Sequence, residues 1–159
     1  MATIKKYDHR ESPRMQVYLV DDDADDRTFF SDAFAKVNLD LHTDLHLFEN
    51  GMELMDHLKK DDIDLPHIIF LDLNMPLLSG KECLREIRQV KRFDDVSIAI
   101  YSTSDAPGDI EDTFSGGANI YLRKPLTFEE LTKTIRHVLK LNWQYHMAGM
   151  SKETFFLSI

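Results

Sequence analysis

The stretch "HIIFLDLNMPLLSG", residues 67–80, opens on a short apolar run and turns abruptly polar at Asp72. Alternating polarity would mark a strand with one wet face. An unbroken apolar run of this length instead predicts a strand covered on both sides, the middle of a parallel sheet. In such a sheet, functional groups collect beyond the carboxyl ends of the strands. Asp72 stands at one of those ends.

Working outward, further runs of strand length lie at 16–20, 44–48, 98–101 and 120–122, each bounded by turn residues. Between them the period changes to that of a helix. Phe30, Ala33, Phe34 and Val37 share one helical face. Gly80, Cys83, Leu84 and Ile87 repeat the spacing, and Phe128, Leu131, Ile135 and Val138 follow it more loosely. Asn50 and Thr127 are helix caps by type and place. Ser104 or Asp105 is the expected cap of a helix with Pro107 in its first turn. Strands separated by helices imply right-handed crossovers, hence an α/β fold with a doubly wound, five-stranded parallel sheet and helices on both faces.

Composition narrows the function. The chain has 159 residues, 43% hydrophobic and 10% aromatic, enough for one packed core. A net charge of −9 argues against nucleic acid or an anionic membrane as partner. The single cysteine, Cys83, rules out an intrachain disulfide framework. Together with the lack of a signal-like or membrane-spanning apolar run, it points to a cytoplasmic protein.

The acidic stretch "VYLVDDDADDRTFF", residues 17–30, crowds five aspartates behind a strand. A calcium loop starting at Asp21 fails, because Asp26 stands where glycine is needed and Asp32 where the bidentate glutamate belongs. Asp21 and Asp22 sit at the end of the first strand, Ser102 at the end of the fourth, and Lys124 just after the fifth. With Asp72 they place three carboxylates, a hydroxyl and an ammonium on one edge of the sheet. Asp25 and Asp26 read as first-turn acids favoured by the helix dipole.

With "LVDDD", "FLDLNMPLLSG", "IYSTS" and "YLRKP" in these places, the chain resembles the receiver domains of two-component response regulators over residues 16–141. The resemblance implies the CheY-like strand order 2-1-3-4-5. It implies Asp72 as phosphoacceptor, with Asp21, Asp22, Asp72 and the main-chain carbonyl of Asn74 holding Mg2+, for which Mn2+ can substitute. Lys124 and Ser102 then contact the phosphoryl group, and Ser102 and Tyr121 form a switch in which Tyr121 turns from an outward to an inward rotamer. A cis bond between Lys124 and Pro125 is also implied. The partners implied are a sensor histidine kinase or a histidine phosphotransfer protein, and a downstream protein target. Such a protein catalyses its own phosphotransfer and slow dephosphorylation but is not an enzyme in the ordinary sense. Asn74 and Ser104, beside the acceptor and the hydroxyl, offer no strong base to a hydrolytic water, and Thr103 is bulky enough to narrow access to Asp72.

Two other readings compete. A receiver-like module could act without phosphorylation, although no position of the set is missing. A haloacid-dehalogenase-type phosphatase needs a second aspartate two residues past the nucleophile, and Asn74 stands there. The chain is thus expected to comprise an arm at 1–13, a receiver at 14–141 and an extension at 142–159 without an output domain. The apolar end "FFLSI" is expected to dock on its own fold, on a partner or on a second copy as a homodimer.

Overall fold

The computed structural model describes residues 14–39, 41–141 and 155–157. The arm expected at 1–13 and most of the extension expected at 142–159 therefore lie outside the described residues. In chain order the elements are β1 (Met15–Val20), α1 (Ala24–Val37), β2 (Thr43–Phe48), α2 (Gly51–Leu58) and β3 (Ile68–Leu71). There follow α3 (Gly80–Arg88), a 3-10 turn (Lys91–Phe93), β4 (Ser97–Ser102), α4 (Pro107–Ser115), β5 (Ile120–Arg123), α5 (Phe128–Lys140) and β6 (Phe156–Leu157).

All strand pairs are parallel, in the order β2-β1-β3-β4-β5-β6. The first five follow the expected order. Side chains alternate between the two faces, so each strand feeds two cores. Val17, Leu19, Ile68, Phe70, Ala99, Tyr101, Ile120 and Leu122 pack under α1 and α5, with Phe30, Phe34, Leu131 and Ile135 as their partners. Tyr18, Val20, Ile69, Leu71, Ile98, Ile100 and Tyr121 face the other way, against residues such as Leu54, Leu58, Cys83, Leu84 and Ile87. Burial on both faces explains why β3 reads as an unbroken apolar run.

Helix starts are chemically marked. The Asp23, Asn50 and Thr127 side chains accept from the main-chain N–H three residues on. Ser79 and Glu82 form a reciprocal capping box at α3. At α4 the expectation fails: the cap position is Ala106, with no side-chain hydrogen bond to the helix N-terminus. Ser104 is turned instead toward Asp109, its Oγ donating at 2.5 Å and accepting from the Ala106 N–H at 3.2 Å. Pro107 tolerates the loss because it has no N–H to satisfy.

No cis peptide bond occurs among the described residues, so the Lys124–Pro125 bond is trans, contrary to the expectation. Trans is the ordinary preference even before proline.

The short sixth strand is the main addition. It extends the sheet beyond β5, pairing Tyr121 with Phe156 and Leu122 with Leu157. Phe155, just before it, is fully buried. Its ring lies 5.2 Å from that of Phe114 and 6.2 Å from that of Tyr121, while Phe156 lies 5.8 Å from Tyr121 on centroids. Residues 155–157 of the apolar end thus dock on the fold of their own chain. Truncating a buried phenylalanine costs about 3 kcal/mol or more. Phe155→Ala should therefore lower the midpoint of denaturant unfolding by that equivalent while leaving the slope unchanged, as read by circular dichroism in urea.

Candidate functional site

The register of the sheet carries the polar residues to one edge. Val20 is paired with Leu71, Leu71 with Ile100, and Ser102 with Arg123. One residue further, the ladder continues through main-chain bonds. Asp21 N–H donates to Phe48 C=O at 3.1 Å, Asp72 N–H to Val20 C=O at 3.0 Å, and Lys124 N–H to Ser102 C=O at 2.8 Å. The main chain of Asp21, Asp72 and Lys124 is therefore fixed by a neighbouring strand before any side chain is considered.

Carboxylate oxygens of Asp21, Asp22 and Asp72 lie within 4.8 Å of one another. Asp21 and Asp72 are buried, and Asp22 is exposed at the mouth. Lys124 Nζ lies 2.8 Å from Asp21 Oδ2, 2.9 Å from Asp26 Oδ2 and 3.6 Å from Asp72 Oδ2. Its aliphatic stem and ammonium are nearly enclosed, with the Tyr101 ring centroid 5.4 Å from Nζ. Ser102 is fully buried and its Oγ accepts from the Ser104 N–H at 3.1 Å. That bond uses the oxygen as acceptor and leaves the hydroxyl proton to donate, with the Tyr121 hydroxyl within its hydrogen-bonding reach. Asn74 and Thr103 are both exposed.

The electrostatics follow from burial. Desolvation raises the Asp72 carboxyl to about 6; Lys124 and the Asn74 N–H work against that rise, and Asp21 and Asp22 add to it. Asp21 is raised too, by its own burial, with the Lys124 hydrogen bond opposing. Burial disfavours the charged form of Lys124, but hydrogen bonds to Asp21 and Asp26 and the charge of Asp72 outweigh it and hold the ammonium protonated well above its ordinary range. Three or four carboxylates against one ammonium leave the pocket short of positive charge.

Tyr121 is not outward in this structure. It is fully buried, and its O–H donates to Ser104 C=O at 2.8 Å. Phe155 and Phe156 pack against its ring, which gives the inward rotamer apolar contacts as well as a hydrogen bond. The expectation of an outward starting position is corrected accordingly.

Three residues with a part in this geometry escaped the sequence reading. Asp26 does open α1, but its carboxylate also reaches Lys124. Arg27 donates to the Asp21 carbonyl at 2.8 Å and holds the acidic turn in place. Gly80 starts α3 so close to β3 that a Cβ there would lie 2.2 Å from the Asp72 carbonyl oxygen and 2.8 Å from Leu73 Cα. Only glycine allows that approach. The glycine ending "FLDLNMPLLSG" was visible, but its contact with Asp72 is a tertiary fact.

Comparison with known proteins agrees with the geometry. Residues 17–136 match the family model described as response regulator receiver domain. A chemotaxis protein CheY homolog of Campylobacter jejuni is 27% identical over 125 residues, covering 79% of this chain and 92% of its own. A probable methanogenesis regulatory protein, FilR2 of Methanothrix harundinacea, is 30% identical over 99 residues, which span 59% of this chain and 64% of that relative. Among solved structures, the phosphorylated cyanobacterial phytochrome response regulator RcpA superposes with a TM-score of 0.73 at 23% identity, covering 87% of this chain and 98% of its own. Response regulator Rcp1, solved in a Mn2+-bound form, gives 0.70 at 24% identity over 79% of this chain and 91% of its own.

The raised Asp72 group has a consequence for stability. Its folded value, about 6, exceeds the ordinary 3.8. Between those values the folded chain holds a proton that the unfolded chain has released, so stability falls as pH rises through the window and is level above it. Without metal, Asp72→Asn should therefore be more stable than wild type above pH 6, by about 3 kcal/mol. The advantage should disappear below about pH 4, as read by thermal unfolding in a chelator across pH.

Proposed function

The chain belongs to the response regulator receiver domain family of two-component signalling, and from that premise we propose that it accepts a phosphoryl group on Asp72 from a phosphohistidine donor. The observation that carries this reading is the pocket itself. A buried carboxylate faces two further carboxylates and an ammonium 3.6 Å away, gathered at one edge of the sheet. The donor is a sensor histidine kinase or a histidine phosphotransfer protein, and the output is a contact with a downstream protein. The receiver occupies 14–141, and its place of work is the cytoplasm.

The carboxylate cluster suits a hard dication. Three oxygen donors lie close enough to share one ion, two of them buried, and the single ammonium leaves their charge uncompensated. Mg2+ is the ion this reading assigns, with Mn2+ as substitute, held by Asp21, Asp22, Asp72 and the main-chain carbonyl of Asn74. When bound it neutralises negative charge on the transferring group.

Asp72 supplies the nucleophile. A carboxylate oxygen forms a bond to phosphorus as the phosphorus–nitrogen bond of the donor imidazole breaks, and the imidazole nitrogen takes the electron pair and then a proton. Lys124 meets the charge on the phosphoryl oxygens. Ser102 donates its hydroxyl proton to a phosphoryl oxygen, leaving the Tyr121 hydroxyl that lies within its reach. These roles are positioning and electrostatics, which is what a loose phosphoryl transition state requires. Ser104 Oγ is engaged with Asp109 and the Ala106 N–H, so it has little capacity left to orient a hydrolytic water beside Asp72. The acyl phosphate should accordingly be cleared slowly by the protein itself.

The test is incubation with Mg2+ and either acetyl phosphate or beryllofluoride, followed by intact mass and by amide NMR of the loop from Ser102 to Ser104. Wild type should gain one phosphoryl group and shift those amides, and Asp72→Asn should do neither. Absence of any Asp72-dependent adduct or shift with every donor would leave a phosphorylation-independent interaction module as the better reading.

A further inference from the structure

Asp26 occupies the third position of α1, where an acid is usually explained by the helix dipole. Here its backbone N–H already donates to the cap, Asp23 Oδ1, at 3.0 Å. Its carboxylate turns away from the helix end and accepts from Lys124 Nζ at 2.9 Å. Lys124 has three N–H donors, and two are taken, by Asp21 at 2.8 Å and by Asp26. Asp72, at 3.6 Å, lies just outside a direct hydrogen bond.

The two partners of the ammonium are unequal. The Asp21 side chain has no exposure, so losing Lys124 would strand a buried charge. The Asp26 side chain is 42% exposed, so on release it is met by water at little cost. Of the two, Asp26 is therefore the partner that can be exchanged. While it is in place, its charge cancels much of what Lys124 offers to an incoming anion.

We propose that Asp26 is a positioning residue that holds the Lys124 ammonium beside Asp72 in the resting protein and yields it to the phosphoryl group. The idea rests on the phosphoacceptor reading. It goes beyond it by making acquisition of the phosphoryl group an exchange of partners at Lys124. Because Asp26 sits in the first turn of α1, that exchange is felt on the face of the molecule where α1 begins.

Beryllofluoride titrations at fixed Mg2+, followed by amide NMR, separate this role from a structural one when run beside titrations with Mg2+ alone. Asp26→Asn should bind beryllofluoride at least about threefold more tightly than wild type, since the competing charge is gone, while its affinity for Mg2+ alone should not rise. Asp25→Asn removes the same charge from the same helix turn at an exposed position and should match wild type in both titrations. Asp26→Glu should restore the wild-type value. If Asp26→Asn matches Asp25→Asn, or if it weakens both ligands together as local unfolding would, the partner exchange is overturned while the phosphoacceptor reading stands. If wild type shows no beryllofluoride response at all, the phosphoacceptor reading fails and the exchange with it.

Discussion

The Lys124 ammonium is the interaction on which the functional edge of this sheet depends. It comes from the turn after β5, yet it binds carboxylates from the end of β1 and the start of α1 and stands near the one that follows β3. Without it, the fully buried Asp21 carboxylate would lose its ion-pair partner, a loss costing several kcal/mol. With it, three strand ends are tied at one point. The tie is incomplete, because one positive charge faces more than one negative charge.

Most of the fold could be read from periodicity because its causes are local. Ile68 to Leu71 form an unbroken apolar run because helices cover both sides of β3, and the spacing of Phe30, Ala33, Phe34 and Val37 follows from a single buried face of α1. The parts that escaped have tertiary causes. Two paired residues make β6, too few for a period of two to be recognised, and only the burial of Phe155 reveals why the apolar end matters. Asp26 looks identical in sequence whether it serves the helix dipole or a lysine 98 residues away. Gly80 fitted a helical face correctly, yet the reason it must be glycine is the carbonyl of Asp72. The α4 cap was missed because Ser104 is claimed by Asp109, while proline at the first turn makes a side-chain cap dispensable.

The loop after β4 is held on several sides. Ser102 Oγ accepts the Ser104 N–H, Tyr121 donates to the Ser104 carbonyl, and Ser104 Oγ donates to Asp109. Asp109 and Asp112 are in turn paired with Lys81 of α3, at 2.7 Å and 2.9 Å. A bond that forms at Ser102 therefore reaches α3 and α4 through contiguous contacts. These contacts are a physical route, and whether they carry a two-state change depends on a second arrangement of comparable energy.

The position of Tyr121 bears directly on that second arrangement. Its ring is covered by Phe155 and Phe156, and its hydroxyl is satisfied by the Ser104 carbonyl. Turning it outward would break one hydrogen bond, expose an aromatic face and leave a void beside a fully buried phenylalanine, each a cost on the order of 1 kcal/mol or more. The outward state is therefore disfavoured for as long as β6 stays docked, and this holds with or without a ligand at Asp72. In the simplest switch the phosphoryl group alone selects the inward tyrosine. Here the strand at the end of the chain already selects it, so a ligand at Asp72 has less rotamer change left to drive. What remains for the ligand to alter is the hydrogen bonding of the 102–106 loop and the partners of Lys124. β6 thus acts on the 102–106 loop through Tyr121, and the free energy of docking β6 biases the position of that loop.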